Sequence, residues 1–251
     1  MQLFTHDGFD LAYIDQGTGD PVLLIHGFAS SHIVNWVSPG WIKTLTEAGY
    51  RAIAFDNRGH GASSKSYDPD AYYPGRMASD AAALLGHLGL SRAHVMGYSM
   101  GARIAAFLAL REPAMVATLV FGGLGIGMVD GVGDWDPIAD ALMAATPAEI
   151  THQRGRMFRA FADQTRSDRQ ALAACIATSR ELLSEADMAR ITQPTLVAVG
   201  TTDDIGGSPE DLAALMPNAV AFSIEGRDHM LSVGDRAFKK RVLEFLQEHP
   251  L

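Results

Sequence analysis

Several short stretches of this sequence are apolar without a break, among them Val22-Leu23-Leu24-Ile25, Ala52-Ile53-Ala54-Phe55 and Leu119-Val120-Phe121. A strand with one wet face alternates apolar and polar residues. Unbroken runs of this length therefore predict strands covered on both faces, as in a parallel sheet. Further strands are expected at Arg51 to Phe55, Ala93 to Met96, Thr118 to Phe121, Pro194 to Val199 and Ala219 to Ile224. Between them apolar residues recur at helical spacing, near Trp41 to Ala48, Tyr72 to Leu88, Met100 to Leu110, Pro209 to Met216 and Phe238 to Gln247. Leu3 to Phe4 and Leu11 to Ile14, parted by His6-Asp7-Gly8, read as an antiparallel hairpin. Strands alternating with helices predict an α/β fold built on a mostly parallel sheet.

One region breaks the alternation. From Trp135 to Ile191 the pattern is helical throughout, with breaks near Pro147, Ser167 and Ser184, and it reads as an insertion lying over the sheet. Its large side chains (Trp135, Met143, Met157, Phe158, Phe161) recur at helical spacing. Most are expected to form the insertion's own small core, leaving one or two to face a ligand. Just before it stands Gly122-Gly123-Leu124-Gly125-Ile126-Gly127-Met128. A dinucleotide fingerprint would need glycine where Met128 or Asp130 stands, so the segment is read as a flexible hinge.

Composition narrows the function. A net charge of −9 with no Lys/Arg run excludes a nucleic-acid binder, which needs a basic face. Cys175 is the single cysteine, so no intrachain disulfide can form; its alanine-rich setting reads as a small buried hydrophobe. No signal-like start and no membrane-length apolar run is present, and the expectation is a soluble cytoplasmic protein without membrane partners. No His or Cys spacing suggests a metal, and no cofactor is expected.

The chemistry gathers at Gly97-Tyr98-Ser99-Met100-Gly101, where a short apolar strand turns straight into a helix. Glycine two residues to either side lets the chain turn so tightly that a residue bearing Cβ would collide across the corner. Ser99 would then stand above the sheet edge, beside the first free N–H groups of a helix. A nucleophile there needs a base, an acid and an oxyanion hole. In an alternating α/β sheet the loops after parallel strands lie along one edge. Phe28, Asp203 or Asp204, and His229 all fall in such loops, so they converge on Ser99. Of nine histidines, His229 alone falls in the loop directly after the last strand. It would take the Ser99 proton while Asp203 or Asp204 orients its ring, and the N–H groups of Met100 and Phe28 would hold the oxyanion. His26 and His60 belong to turns and are read as structural. The other six histidines are expected to be solvated or satisfied locally. The turn Asp56-Asn57-Arg58-Gly59-His60-Gly61-Ala62-Ser63 is likewise structural.

Together, His26-Gly27-Phe28, Asp56-x-Arg58-Gly59-x-Gly61-x-Ser63, Gly97-x-Ser99-x-Gly101, Gly200-x-x-Asp203 and Gly226-x-x-His229 make the chain resemble the α/β-hydrolase fold superfamily, serine-nucleophile branch, over essentially its whole length. The resemblance implies eight strands, mostly parallel, flanked by helices, with a helical cap inserted after strand six. It divides the chain into a core of residues 1–122 and 192–251 and a cap of residues 123–191. It places the acid after strand seven, which selects Asp203 over Asp204. It implies a serine hydrolase of small carboxylic esters or lactones acting through an acyl-enzyme. Carbon–carbon bond hydrolases, a menaquinone-synthesis lyase and triad-bearing small-ligand receptors of the same fold are the alternatives. Phe28, Trp36, Tyr98, Met100 and Met230 are candidates to line the substrate pocket. Arg103 reads as a helix-surface charge, or, by local likeness to the lyase, as a contact for an anionic substrate.

Overall fold

The computed structural model describes all 251 residues. Eight strands form one sheet: β1 (Gln2–His6), β2 (Phe9–Gln16), β3 (Pro21–Ile25), β4 (Arg51–Phe55), β5 (Ala93–Tyr98), β6 (Val116–Gly122), β7 (Thr195–Gly200) and β8 (Ala219–Ile224). Their order across the sheet is β1-β2-β4-β3-β5-β6-β7-β8. The hairpin β1–β2 and the pair β2–β4 are antiparallel, and every other pair is parallel. The ends of β3, β5, β7 and β8 consequently lie along one edge.

The unbroken apolar runs are explained by helices on both faces. Leu23 and Ile25 of β3 pack with α2 (Pro74–His87) and α3 (Met100–Arg111). Val22 and Leu24 point the other way, into the layer of α1 (Trp41–Glu47) and α10 (Arg236–Glu248). Alternate residues of one strand thus enter two separate cores, with no position left for a polar side chain.

Between β6 and β7 there is no strand. The segment instead folds into α4 (Gly127–Asp130), α5 (Asp136–Met143), α6 (Gln153–Gln164), α7 (Arg169–Thr178) and α8 (Glu185–Arg190), and α9 (Pro209–Ala214) follows β7. His152, Asp168 and Ser184 cap α6, α7 and α8 by accepting backbone N–H bonds, which sets where each helix starts.

The glycine-rich segment after β6 is no hinge. The N–H groups of Gly125 and Gly127 both donate to the Gly206 carbonyl, and that of Ile126 donates to the Ser208 carbonyl. A Cβ on Gly125 would lie 2.4 Å from the Ser208 oxygen, so glycine is there for close backbone approach. No helix is long and apolar enough to cross a membrane.

Candidate active site

The corner after β5 holds Ser99 at φ 54° and ψ −114°, a conformation that L side chains rarely adopt. Packing enforces it. A Cβ on Gly97 would come within 2.1 Å of the Gly101 carbonyl oxygen, and one on Gly101 within 2.0 Å of the Ile25 oxygen. Both glycines are therefore fixed by sterics, and Ser99 stands midway between them at the apex of the corner. The Ser99 N–H donates to the Gly122 carbonyl, which ties the corner to the neighbouring strand.

Two loops from the far end of the chain meet it. His229 Nε2 lies 3.1 Å from Ser99 Oγ, and His229 Nδ1 lies 2.8 Å from Asp203 Oδ2. The other oxygen of Asp203 accepts the N–H groups of Ile205 and Gly206 at 2.8 and 2.9 Å. Burial alone would raise the Asp203 carboxyl. The His229 hydrogen bond and charge, together with the two backbone donors, outweigh it and hold the group below its ordinary value. Asp204 is turned away, its side chain 84% exposed and 3.8 Å from Arg154.

The His229 loop is itself braced. Tyr98 Oη donates to the His229 carbonyl at 2.6 Å, and Asp228 Oδ1 accepts the N–H groups of Met230 and Leu231. Gly200 allows the Arg227 carbonyl to approach to where its Cβ would be, 2.0 Å away.

The N–H groups of Phe28 and Met100 have no partner in the protein, Met100 being the first residue of α3. Behind Phe28 the turn is held from two sides. Gly27 N–H donates to Asn35 Oδ1 at 2.9 Å, and Asn57 N–H donates to His26 Nε2 at 2.9 Å. Asp56 accepts from His32 Nδ1 and from the N–H groups of His32 and Ala62. Burial would raise this carboxyl, but these donors and the nearby His26 bring it down to about 2. His60, fully enclosed beneath Phe28, is pushed down to about 3 by burial and by His26. The histidines assigned to solvent or local bonds are not all so placed: His32 and His94 are buried, the latter bonded to Thr118.

A cavity of about 320 Å3 opens beside Ser99 and His229. Phe28, Tyr98 and Met230 line it, with Asn35, Phe158, Phe161, Leu231 and Val233. Trp36 does not. It is wholly buried in the second core, edge-on to Trp41, because the π-helical turn Ile33–Val37 directs Val34 and Asn35 to the cavity and Trp36 inward. That turn carries no sequence signal that we recognise in advance. Met100 borders a smaller space on the other side of Ser99.

Arg103 is not a surface charge either. It is buried in α3, its Nη1 donating to the carbonyls of Met128 and Glu181 and its Nη2 to that of Gly127. It fastens α3 to α4 and to the segment between α7 and α8. Cys175 is buried and its thiol is pushed up to about 12 by burial, which leaves it unreactive.

A hydroxyl on a strained strand-to-helix corner, a buried imidazole against it and a carboxylate behind the imidazole define a hydrolase of the α/β fold. The α/β-hydrolase fold family model matches residues 20–150, and the chain belongs to that family. A non-heme chloroperoxidase of Streptomyces lividans is 30% identical over 283 aligned positions, covering 97% of this chain and 98% of the relative. A solved hydrolase from Pseudomonas aeruginosa shares 28% identity with a TM-score of 0.80, covering 98% of this chain and 97% of that one. An esterase from Exiguobacterium antarcticum, at 21% identity and TM-score 0.80 over 96% of this chain and 97% of its own, is similar in fold.

Proposed function

We propose that this protein is a serine hydrolase of small carboxylic esters or lactones, working through an acyl-enzyme. The observation that carries the reading is the hydrogen-bonded series Asp203–His229–Ser99, ending at the mouth of an apolar cavity. His229 Nε2 takes the hydroxyl proton as Ser99 Oγ bonds to the substrate carbonyl carbon. The carbonyl oxygen, now anionic, accepts the free N–H groups of Phe28 and Met100; in comparable sites each such donor is worth about 3–4 kcal/mol. His229 then gives its proton to the departing alcohol as the carbon–oxygen bond breaks. A water molecule repeats the sequence on the acyl-enzyme, releasing the acid and restoring Ser99. Asp203 keeps Nδ1 protonated and stabilises the imidazolium throughout.

On this reading the segment 123–191 is a cap whose Phe158 and Phe161 close the apolar side of the site. The test is turnover of phenyl acetate by the protein and by Ser99→Ala. Hydrolysis that falls at least 10³-fold in the variant supports the proposal. Turnover that survives, or ligand binding with none at all, rejects it.

A further inference from the structure

Ser99 stands between two compartments of unequal size. The larger is the apolar cavity described above. The smaller, about 30 Å3, lies on the Met100 side and has room for only a few heavy atoms. Phe28 and Ser99 border both, whereas His229 borders only the larger and Met100 only the smaller. This asymmetry orients a substrate. The leaving alcohol must reach His229 Nε2 for its proton, so it occupies the large compartment, and the acyl chain falls in the small one.

The wall of the small compartment is mostly apolar, but it carries two arginines, Arg103 and Arg180, and the polar groups of Trp135 and Ser179. Both Trp135 and Ser179 are buried and border it; Trp135 Nε1 has no hydrogen-bond partner in the protein, and Ser179 Oγ has none of full strength. The neighbour of Ser179 on α7 is the Cys175 thiol, a weak partner. A buried donor without a full-strength partner is available to a ligand, and both residues border this one space. Arg180 borders the same space. Its Nε donates to the Ile176 carbonyl, and its nearest carboxylate is Asp136, 3.8 Å away and largely in solvent. Arg103 adds a second positive charge, though three carbonyls occupy its Nη groups. Burial, with repulsion from Arg180, pushes Arg103 down to about 10. No carboxylate of the protein borders the compartment.

Resting on the acyl-transfer reading above, we propose that the small compartment receives a carboxylate carried on a short acyl chain. The preferred substrates are then monoesters of small dicarboxylic acids with an apolar alcohol. Trp135 Nε1–H and Ser179 Oγ–H donate to the carboxylate oxygens and Arg180 neutralises the charge. A neutral acyl chain of the same shape leaves both donors unpaired.

Benzyl hydrogen malonate and benzyl 3-methylbutanoate differ in that charge and little else in shape. Release of benzyl alcohol gives kcat/KM for each. The intact protein is expected to prefer the malonate ester at least tenfold, and Arg180→Gln and Ser179→Ala each to bring the ratio towards one. A ratio taken within one protein is insensitive to the fraction that folds. Preference for 3-methylbutanoate, or a malonate preference that both variants keep, overturns the proposal. If phenyl acetate is hydrolysed in a Ser99-dependent way while the malonate ester is disfavoured, the acyl-transfer reading stands and this inference falls. Should phenyl acetate not be hydrolysed, calorimetric titration of Ser99→Ala with both esters decides. Tenfold tighter binding of the malonate ester, lost on adding Arg180→Gln, supports the carboxylate site; equal or absent binding rejects it.

Discussion

The strand-end wall of the site and the helical wall facing it hold their side chains by different physics. On the strand side, position follows from backbone geometry: Gly97 and Gly101 have no room for a Cβ, and Asp203 is pinned by two backbone donors. On the helical side, Trp135 and Phe158 meet each other, and Phe28 of the strand-end turn, as aromatic rings 5.3 to 6.3 Å apart. A backbone-fixed wall admits one residue type per position. A wall built on apolar packing admits many shapes of similar volume. The first kind suits chemistry that fails with a small displacement, and the second suits a surface that selects substrates.

The sharpest way to break this contrast lies in the two adjacent aspartates. Asp203→Asn keeps the shape but lets the ring of His229 adopt the wrong tautomer, and kcat for an activated ester should fall about 10⁴-fold, as in serine proteases of the same logic. Asp204→Asn, one residue away on an exposed side chain, should change it less than threefold. Equal losses in the two would show that the wall acts through the loop as a whole.

What could be read from the sequence divides along the same line. Ser99, His229 and the Phe28 turn were visible because backbone constraint leaves fixed residue types at fixed spacing. So were the sheet's buried strands, through their unbroken apolar runs. Asp203 was separable from Asp204 only through the family resemblance, since both lie in the same loop and only the fold decides which faces His229. The lining residues were less legible. Phe158 and Phe161 carry the same helical periodicity as residues packed inside the insertion. The sequence does not mark Asn35 over Trp36 as a lining residue, because a π-turn decides which neighbour faces the cavity. Arg103 looked like a surface charge because its partners are backbone carbonyls from a distant segment, which leave no mark in composition.

The strand wall also contains buried titratable groups, and this gives it a pH response. His60 remains neutral when folded, with Nε2 unpartnered, and its value of about 3 lies below the ordinary 6.5. Between those values the unfolded chain binds a proton that the folded protein does not, so stability falls as pH drops, by up to about 1.4 kcal/mol per pH unit. Asp56 acts in the same direction only lower down. Its carboxylate contributes stability above about 3.8, which is lost as pH falls towards 2. Urea unfolding at pH 7, 6 and 5, above the range where the lowered carboxyls contribute most, should therefore show a slope that His60→Gln makes shallower, the remainder coming from His26 and His94, which are lowered in the same direction. An unchanged slope would mean that His60 takes up its proton while folded.

The smallest expected effects test the helical wall against the core beneath it. Phe161 borders the cavity, and Phe161→Ala removes apolar surface that an ester's alcohol would cover. That loss is about 1–2 kcal/mol. It should appear as a roughly 5- to 30-fold rise in KM for an apolar ester with kcat nearly kept, because the contact is the same in ground and transition states. Trp36→Phe alters a larger side chain, yet Trp36 faces Trp41 in the second core and not the cavity. Its cost should fall on unfolding free energy, with KM within twofold of the parent. The informative outcome is the pair. If Trp36→Phe raises KM as much as Phe161→Ala does, the core transmits strain to the cleft, and the two walls are one mechanical unit.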